Sequence, residues 1–174
     1  MRKNLIIMAL VALSLASCGE KSEKETAYTP PQDIVLNSDI MTPEALWSMN
    51  RLGEYAVSPD GKHVVYNLTY FNIPENKSKT DIYIIDIDGN NNRCLTKSFS
   101  NELSPTWNKD GSKILFMCAD SGEMQVWEMN PDGSERKQVS FVEGGVNGFK
   151  YSPDESQLLF IAEVKLKDNV ADIY

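Results

Sequence analysis

The chain has 174 residues, with 25 acidic side chains against 17 basic ones and a formal charge of −8. An acidic chain with no offsetting basic stripe repels phosphate backbones, so nucleic acid is not an expected partner. A single histidine and three cysteines offer no Cys/His spacing suited to zinc, and no cofactor or metal is expected.

Residues 1–17 read as a targeting segment. Arg2 and Lys3 are basic, and Leu5–Leu15 is an apolar run of eleven residues, well short of the roughly 20 a membrane-spanning helix needs. It ends in Leu15-Ala16-Ser17-Cys18, which is similar to the bacterial lipobox. There, small residues fit the signal peptidase and the cysteine thiol receives diacylglycerol. Cys18 is therefore the expected lipidation site, and a membrane the expected partner through that anchor. The expected location is the bacterial cell envelope, periplasmic or surface-exposed, with the outer membrane favoured. Loss of residues 1–17 removes two basic residues and no acidic ones, so the mature charge falls to about −10. What remains is one domain's worth of chain.

Residues 18–37 are polar, with little to bury, and read as a disordered tether. A short helical lead-in is expected over 38–54. Thr42 can cap, Pro43 suits the first helical position and Glu44 the first turn. Ala45, Leu46 and Met49 follow at helical spacing, Trp47 is expected to pack on the body, and Gly53 is placed to end the element.

From Tyr55 onward the sequence repeats itself. Val57-Ser58-Pro59-Asp60-Gly61-Lys62-His63-Val64-Val65-Tyr66 returns as Trp107-Asn108-Lys109-Asp110-Gly111-Ser112-Lys113-Ile114-Leu115-Phe116. It returns again as Tyr151-Ser152-Pro153-Asp154-Glu155-Ser156-Gln157-Leu158-Leu159-Phe160. Between them, Asp81-Ile82-Tyr83-Ile84-Ile85-Asp86-Ile87-Asp88-Gly89 matches Gln125-Val126-Trp127-Glu128-Met129-Asn130-Pro131-Asp132-Gly133, and Asp172-Ile173-Tyr174 begins a third copy. Each repeat supplies four strands, in the first at about 55–58, 62–70, 81–87 and 92–96. Ser-Pro-Asp-Gly and Asp-Gly are turn chemistry. Glu155 replaces the turn glycine in the third copy, so that turn is expected to differ slightly. The runs Ile114–Ala119 and Leu158–Ala162 are apolar without alternation, as burial on both faces requires. Ile84, Ile114, Val126 and Leu159 are accordingly expected between blades. Four-stranded units of this period make an all-β propeller. It is incomplete here, with blades at about 55–100, 101–144 and a truncated 145–174.

These repeats resemble those of TolB-like propellers. Met41-Thr42-Pro43-Glu44-Ala45-Leu46-Trp47, followed by Leu52-Gly53-Glu54-Tyr55-Ala56-Val57-Ser58-Pro59-Asp60-Gly61-Lys62, is similar to the start of the propeller in prolyl oligopeptidase family serine peptidases, in their dipeptidyl and acylaminoacyl branch. The resemblance implies a propeller that precedes an α/β-hydrolase domain, expected beyond residue 174, and restricts access to its serine, aspartate and histidine. Peptide substrates, further blades and that hydrolase domain are the implied partners. The implied role is gating peptide access, with no catalytic residue at any matching position. The alternative is a TolB-like propeller that binds a protein partner and has no enzymatic activity.

Other chemistry is thin. No Gly-x-Ser-x-Gly occurs. His63 stands where the other copies have Lys113 and Gln157, so it reads as a blade-edge residue rather than a catalytic one. The loop from Asp86 has Asn91 where a calcium loop wants its sixth-position glycine and Lys97 where it wants its twelfth-position glutamate, so Asp86–Asn90 reads as a β-turn. Tyr66, Trp107, Phe116 and Trp127 are expected in packing, and Cys94 and Cys118 are expected as two separate buried thiols, with a disulfide between them the alternative in an exported protein. The sequons at Asn67 and Asn76 carry little weight in a bacterial lipoprotein.

Overall fold

The computed structural model describes residues 39–163. Cys18, the tether and the third copy at Asp172-Ile173-Tyr174 lie outside them. The helix α1 spans Pro43–Ser48, and the Thr42 hydroxyl accepts the Ala45 amide at 3.2 Å. Ala45 is its buried residue, while Trp47 is half-exposed with its ring edge-on to Phe71 at 5.1 Å. The helix stops before the expected Gly53, because Met49 is already extended and the chain enters a strand.

That strand, β1, covers Arg51–Val57 and begins earlier than the repeat suggests. With β2 (His63–Asn72), β3 (Lys77–Asp86) and β4 (Arg93–Cys94) it forms an antiparallel sheet in chain order. The second blade repeats this with β5 (Glu102–Trp107), β6 (Ile114–Cys118), β7 (Gln125–Met129) and β8 (Lys137–Gln138). The third contributes β9 (Gly148–Tyr151) and β10 (Leu158–Ile161) as a pair. Four-stranded units side by side give the incomplete all-β propeller expected.

The core lies in the two seams between blades, and β6 feeds both. Side chains alternate across a strand, so Ile114, Phe116 and Cys118 face blade 1 and pack with Val65, Ile82, Ile84 and Trp107. Leu115 and Met117 face the other way, onto Val126, Phe149, Leu158 and Phe160. Every residue of β6 is buried. The expectation holds for Ile84, Ile114 and Val126 but not for Leu159, which is 64% exposed. Leu158 and Phe160 take the face toward blade 2, so Leu159 points to the opposite face, where no described element packs.

The turn with Glu155 also departs from expectation, since it does not differ from its counterparts. Glu155 adopts φ 58°, beside 70° for Gly61 and 75° for Gly111. All three amides bond back three residues, to Ser58 O, Asn108 O and Ser152 O. The side chains that hold the turn are retained: Ser152 donates to Asp154 at 2.6 Å as Ser58 does to Asp60. The Glu155 carboxylate also accepts the Lys109 amide of the neighbouring blade's turn, a tie that glycine could not make.

The second hairpin holds glycine at φ 88° (Gly89) and 89° (Gly133), so Asp86–Asn90 is a turn as expected. The two glycines differ in surroundings. A Cβ on Gly89 meets nothing, whereas one on Gly133 would stand 2.9 Å from the Leu95 carbonyl of blade 1. Gly89→Ala should cost about 1–2 kcal/mol, the left-handed penalty alone. Gly133→Ala should cost clearly more, because backbone must shift. Paired urea midpoints check this, and equal losses would place the hairpin wrongly against blade 1.

Candidate functional site

The innermost strands β1, β5 and β9 line a shared groove of about 830 Å³. Two of them are irregular where they face it. The β1–β2 register slips between Leu52 and Tyr55, and the β5–β6 register slips between Leu103 and Thr106, where Ser104 takes φ 53°. Such bulges re-aim side chains. Here they turn Glu54, Tyr55 and Thr106 into the groove beside Asn147, Lys150 and Tyr151. Tyr55 is 68% exposed. The first two walls are tied together by the Trp107 indole, which donates to the Ala56 carbonyl at 3.1 Å. The groove offers carboxylate, ammonium and aromatic surfaces.

His63 lies elsewhere, in a polar groove of about 600 Å³ with Asp86, Arg93 and Asp132. It faces Asp86 across the β2–β3 pair, with Nδ1 2.8 Å from Oδ1. In blade 2, Lys113 Nζ reaches Asn130 Oδ1 at 2.7 Å from the matching position. A surface cross-strand pair whose chemistry changes between blades is consistent with the blade-edge reading. Trp107 and Phe116 are buried as expected; Trp127 and Tyr66 are partly buried, and the Tyr66 hydroxyl donates to Asn92.

The seam between blades 1 and 2 holds a charge cluster that the sequence reading does not contain. Glu102, the first residue of β5, is 0% exposed. Its carboxylate accepts Lys79 Nζ at 3.0 Å, Arg136 Nη1 at 3.1 Å and the Thr96 hydroxyl at 3.2 Å, and the Ser98 hydroxyl as well. Lys79 also reaches Asp81 Oδ1 at 2.5 Å, and Arg136 Nη2 reaches Asp120 Oδ2 at 2.6 Å. The Arg136 guanidinium lies 5.1 Å from the centroids of both the Phe116 and Trp127 rings. Burial and then the Glu102 charge push the Asp81 carboxyl up to about 8. Burial works against ionised Asp120, but the Ser100 hydrogen bond and the Arg136 charge outweigh it and hold its carboxyl below the usual range.

Glu102, Cys118 and Asp120 bring three metal-type ligand atoms within 4.8 Å. Arg136 already contacts all three, including Cys118 Sγ at 2.9 Å, so a metal ion would have to displace an internal cation. Burial pushes the Cys118 thiol up to about 11. Both thiols are free, but Cys94 is half-buried rather than buried. The signal that could have found the cluster is a break in the repeat. Where the seam between blades 1 and 2 has Asp81 and Glu102, the step of 44 puts Gln125 and Val146 at the seam between blades 2 and 3. In blade 2 the same place is neutral, with Gln125 accepting the Ser140 hydroxyl at 2.7 Å.

The TolB beta propeller domain family matches residues 46–173. The chain is 36% identical over 98% of its length to dipeptidyl-peptidase 5 of Porphyromonas endodontalis, and 42% identical over 77% of its length to that of Porphyromonas gingivalis. It spans only 24% and 20% of those relatives. The acylaminoacyl peptidase of Pyrococcus horikoshii superposes with a TM-score of 0.56 at 20% identity, over 70% of this chain and 19% of that one; this likeness concerns the fold.

Proposed function

Since the chain belongs to the TolB β-propeller domain family, we propose that it supplies the first blades of an exported serine peptidase and gates peptide access to a hydrolase domain. The supporting observation is the 36% identity that runs over 98% of the chain, lead-in included, to a dipeptidyl-peptidase. The bulged groove adds a surface of suitable character for a peptide chain. This chain contributes walls; the reacting serine, aspartate and histidine belong to the proposed hydrolase domain.

The test uses the full-length protein. It should hydrolyse chromogenic dipeptide or acylaminoacyl substrates and spare folded proteins. Thr106→Trp, which narrows the groove, should slow an oligopeptide more than the small chromogenic substrate. Absence of any hydrolysis, with retained binding of a protein partner, would favour the non-enzymatic propeller instead.

The anchor is proposed on Leu15-Ala16-Ser17-Cys18. Labelled fatty acid should enter the wild type and fail to enter Cys18→Ala. Equal labelling of both would remove the anchor and with it the envelope location.

A further inference from the structure

We propose that the seam between blades 1 and 2 is a proton-coupled clamp, in which the buried charge cluster holds one proton and its loss loosens the groove wall that β5 provides. The argument begins with a charge count. Two cations, Lys79 and Arg136, face three carboxylates, Asp81, Glu102 and Asp120. Lys79 and Asp81 are less than 10% exposed and Glu102 is fully buried, so an uncompensated negative charge is costly there. A proton removes that cost. Glu102 is spoken for by Lys79, Arg136 and two hydroxyls. Asp120 is the most exposed of the three and is paired with Arg136. Asp81 has Lys79 as its cation but shares it with Glu102, without the hydroxyl and guanidinium donors that Glu102 has. The proton is therefore assigned to Asp81, whose other titratable neighbours, Tyr83 and Cys94, are neutral groups whose own ionisation burial disfavours.

Position connects the cluster to the groove. Glu102 opens β5, and the bulge that starts at Ser104 is two residues away. The linker before it is pinned to blade 1 by side chains of the same network. Asn101 accepts the Thr80 amide at 2.9 Å, and Thr96 accepts the Ile82 amide at 2.9 Å while donating to Glu102. Opening this linker would expose Asp81 and release the start of β5 from blade 1, leaving the Trp107–Ala56 bond as the remaining tie between the two walls. This coupling is independent of what passes through the groove.

The sign follows from linkage. A carboxyl raised from 3.8 to about 8 in the closed seam favours closure fully below its ordinary range, and that preference is lost as pH rises toward 8. In that window each opening releases one proton, so the opening constant rises about tenfold per pH unit and then levels off. Hydrogen exchange of the Thr80 and Ile82 amides in the full-length protein, corrected for the intrinsic pH dependence, should show this slope between about pH 5 and 8. Asp81→Asn, which imitates the protonated acid, should be flat. A flat wild type, or an equal slope in Asp81→Asn, would overturn the proposal. Infrared difference spectra provide a second readout that needs no variant. A protonated carboxylic C=O band should be present at pH 6 and lost on alkalinisation, and its absence at pH 6 would equally overturn it.

Discussion

Glu102→Ala is expected to destabilise the full-length protein by about 3–5 kcal/mol, because it leaves the buried Lys79 ammonium and the partly buried Arg136 guanidinium short of a partner. Glu102 is the member of the cluster that both cations share: Lys79 from blade 1 and Arg136 from blade 2 meet on its two oxygens. Its removal leaves Lys79 dependent on Asp81, which must then ionise inside the seam. Arg136 keeps Asp120 and its two aromatic faces, so the loss should fall mainly on blade 1. Urea unfolding read by tryptophan fluorescence measures the total, and Trp107 sits in the affected seam. Glu135→Ala is the matched control, since its ion pair with Lys113 is on the surface, and its midpoint should stay within error. A Glu102→Ala midpoint equally unmoved would mean that the charges are solvated and the seam is wetter than its geometry implies.

The second large effect concerns β6. Phe116→Ala and Leu115→Ala remove neighbouring buried side chains from one strand, at about 3–5 and 2–5 kcal/mol respectively. They should act on different seams. Phe116 packs among Val65, Ile82 and Ile84 and lies under Arg136, so its loss should raise exchange at the blade 1–2 seam. Leu115 packs with Val146, Leu158 and Phe160, so its loss should act on the blade 2–3 seam. Exchange maps that coincide for the two variants would contradict the alternation.

The sequence was most informative where chemistry recurs. Turn residues at fixed offsets set the period, and uninterrupted apolar runs called for burial on both faces, as β6 has it. Three features were harder to read for separate physical reasons. Leu159 lies in an apolar run, but such a run does not say which of its faces has a covering neighbour. Glu155 pointed to a slightly different turn because glycine is the default at positive φ, yet the Asp154 side-chain bonds set the turn and the residue supplied its own contact. The charge cluster joins residues from Lys79 to Arg136 that no local pattern links. Only the mismatch of Asp81 and Glu102 with Gln125 and Val146 marked it. Neither the groove nor the bulges that aim Glu54 and Tyr55 into it were marked by the repeat, because a register slip leaves no compositional signal.

The contrast between the charged lock of blade 1 and the neutral lock of blade 2 bears on assembly. Repeated blades share one shape, so a nascent chain can stack them out of order or onto a second molecule, a failure to which repeat proteins are prone. Apolar faces alone discriminate poorly between such arrangements. Lys79 and Asp81 on one blade require Glu102 and Arg136 on the next, and a partner presenting Val146 instead would leave them buried and unmatched. Among the described blades, the cluster therefore favours this neighbour over one built like blade 3, so that charge pairing as well as shape specifies their order.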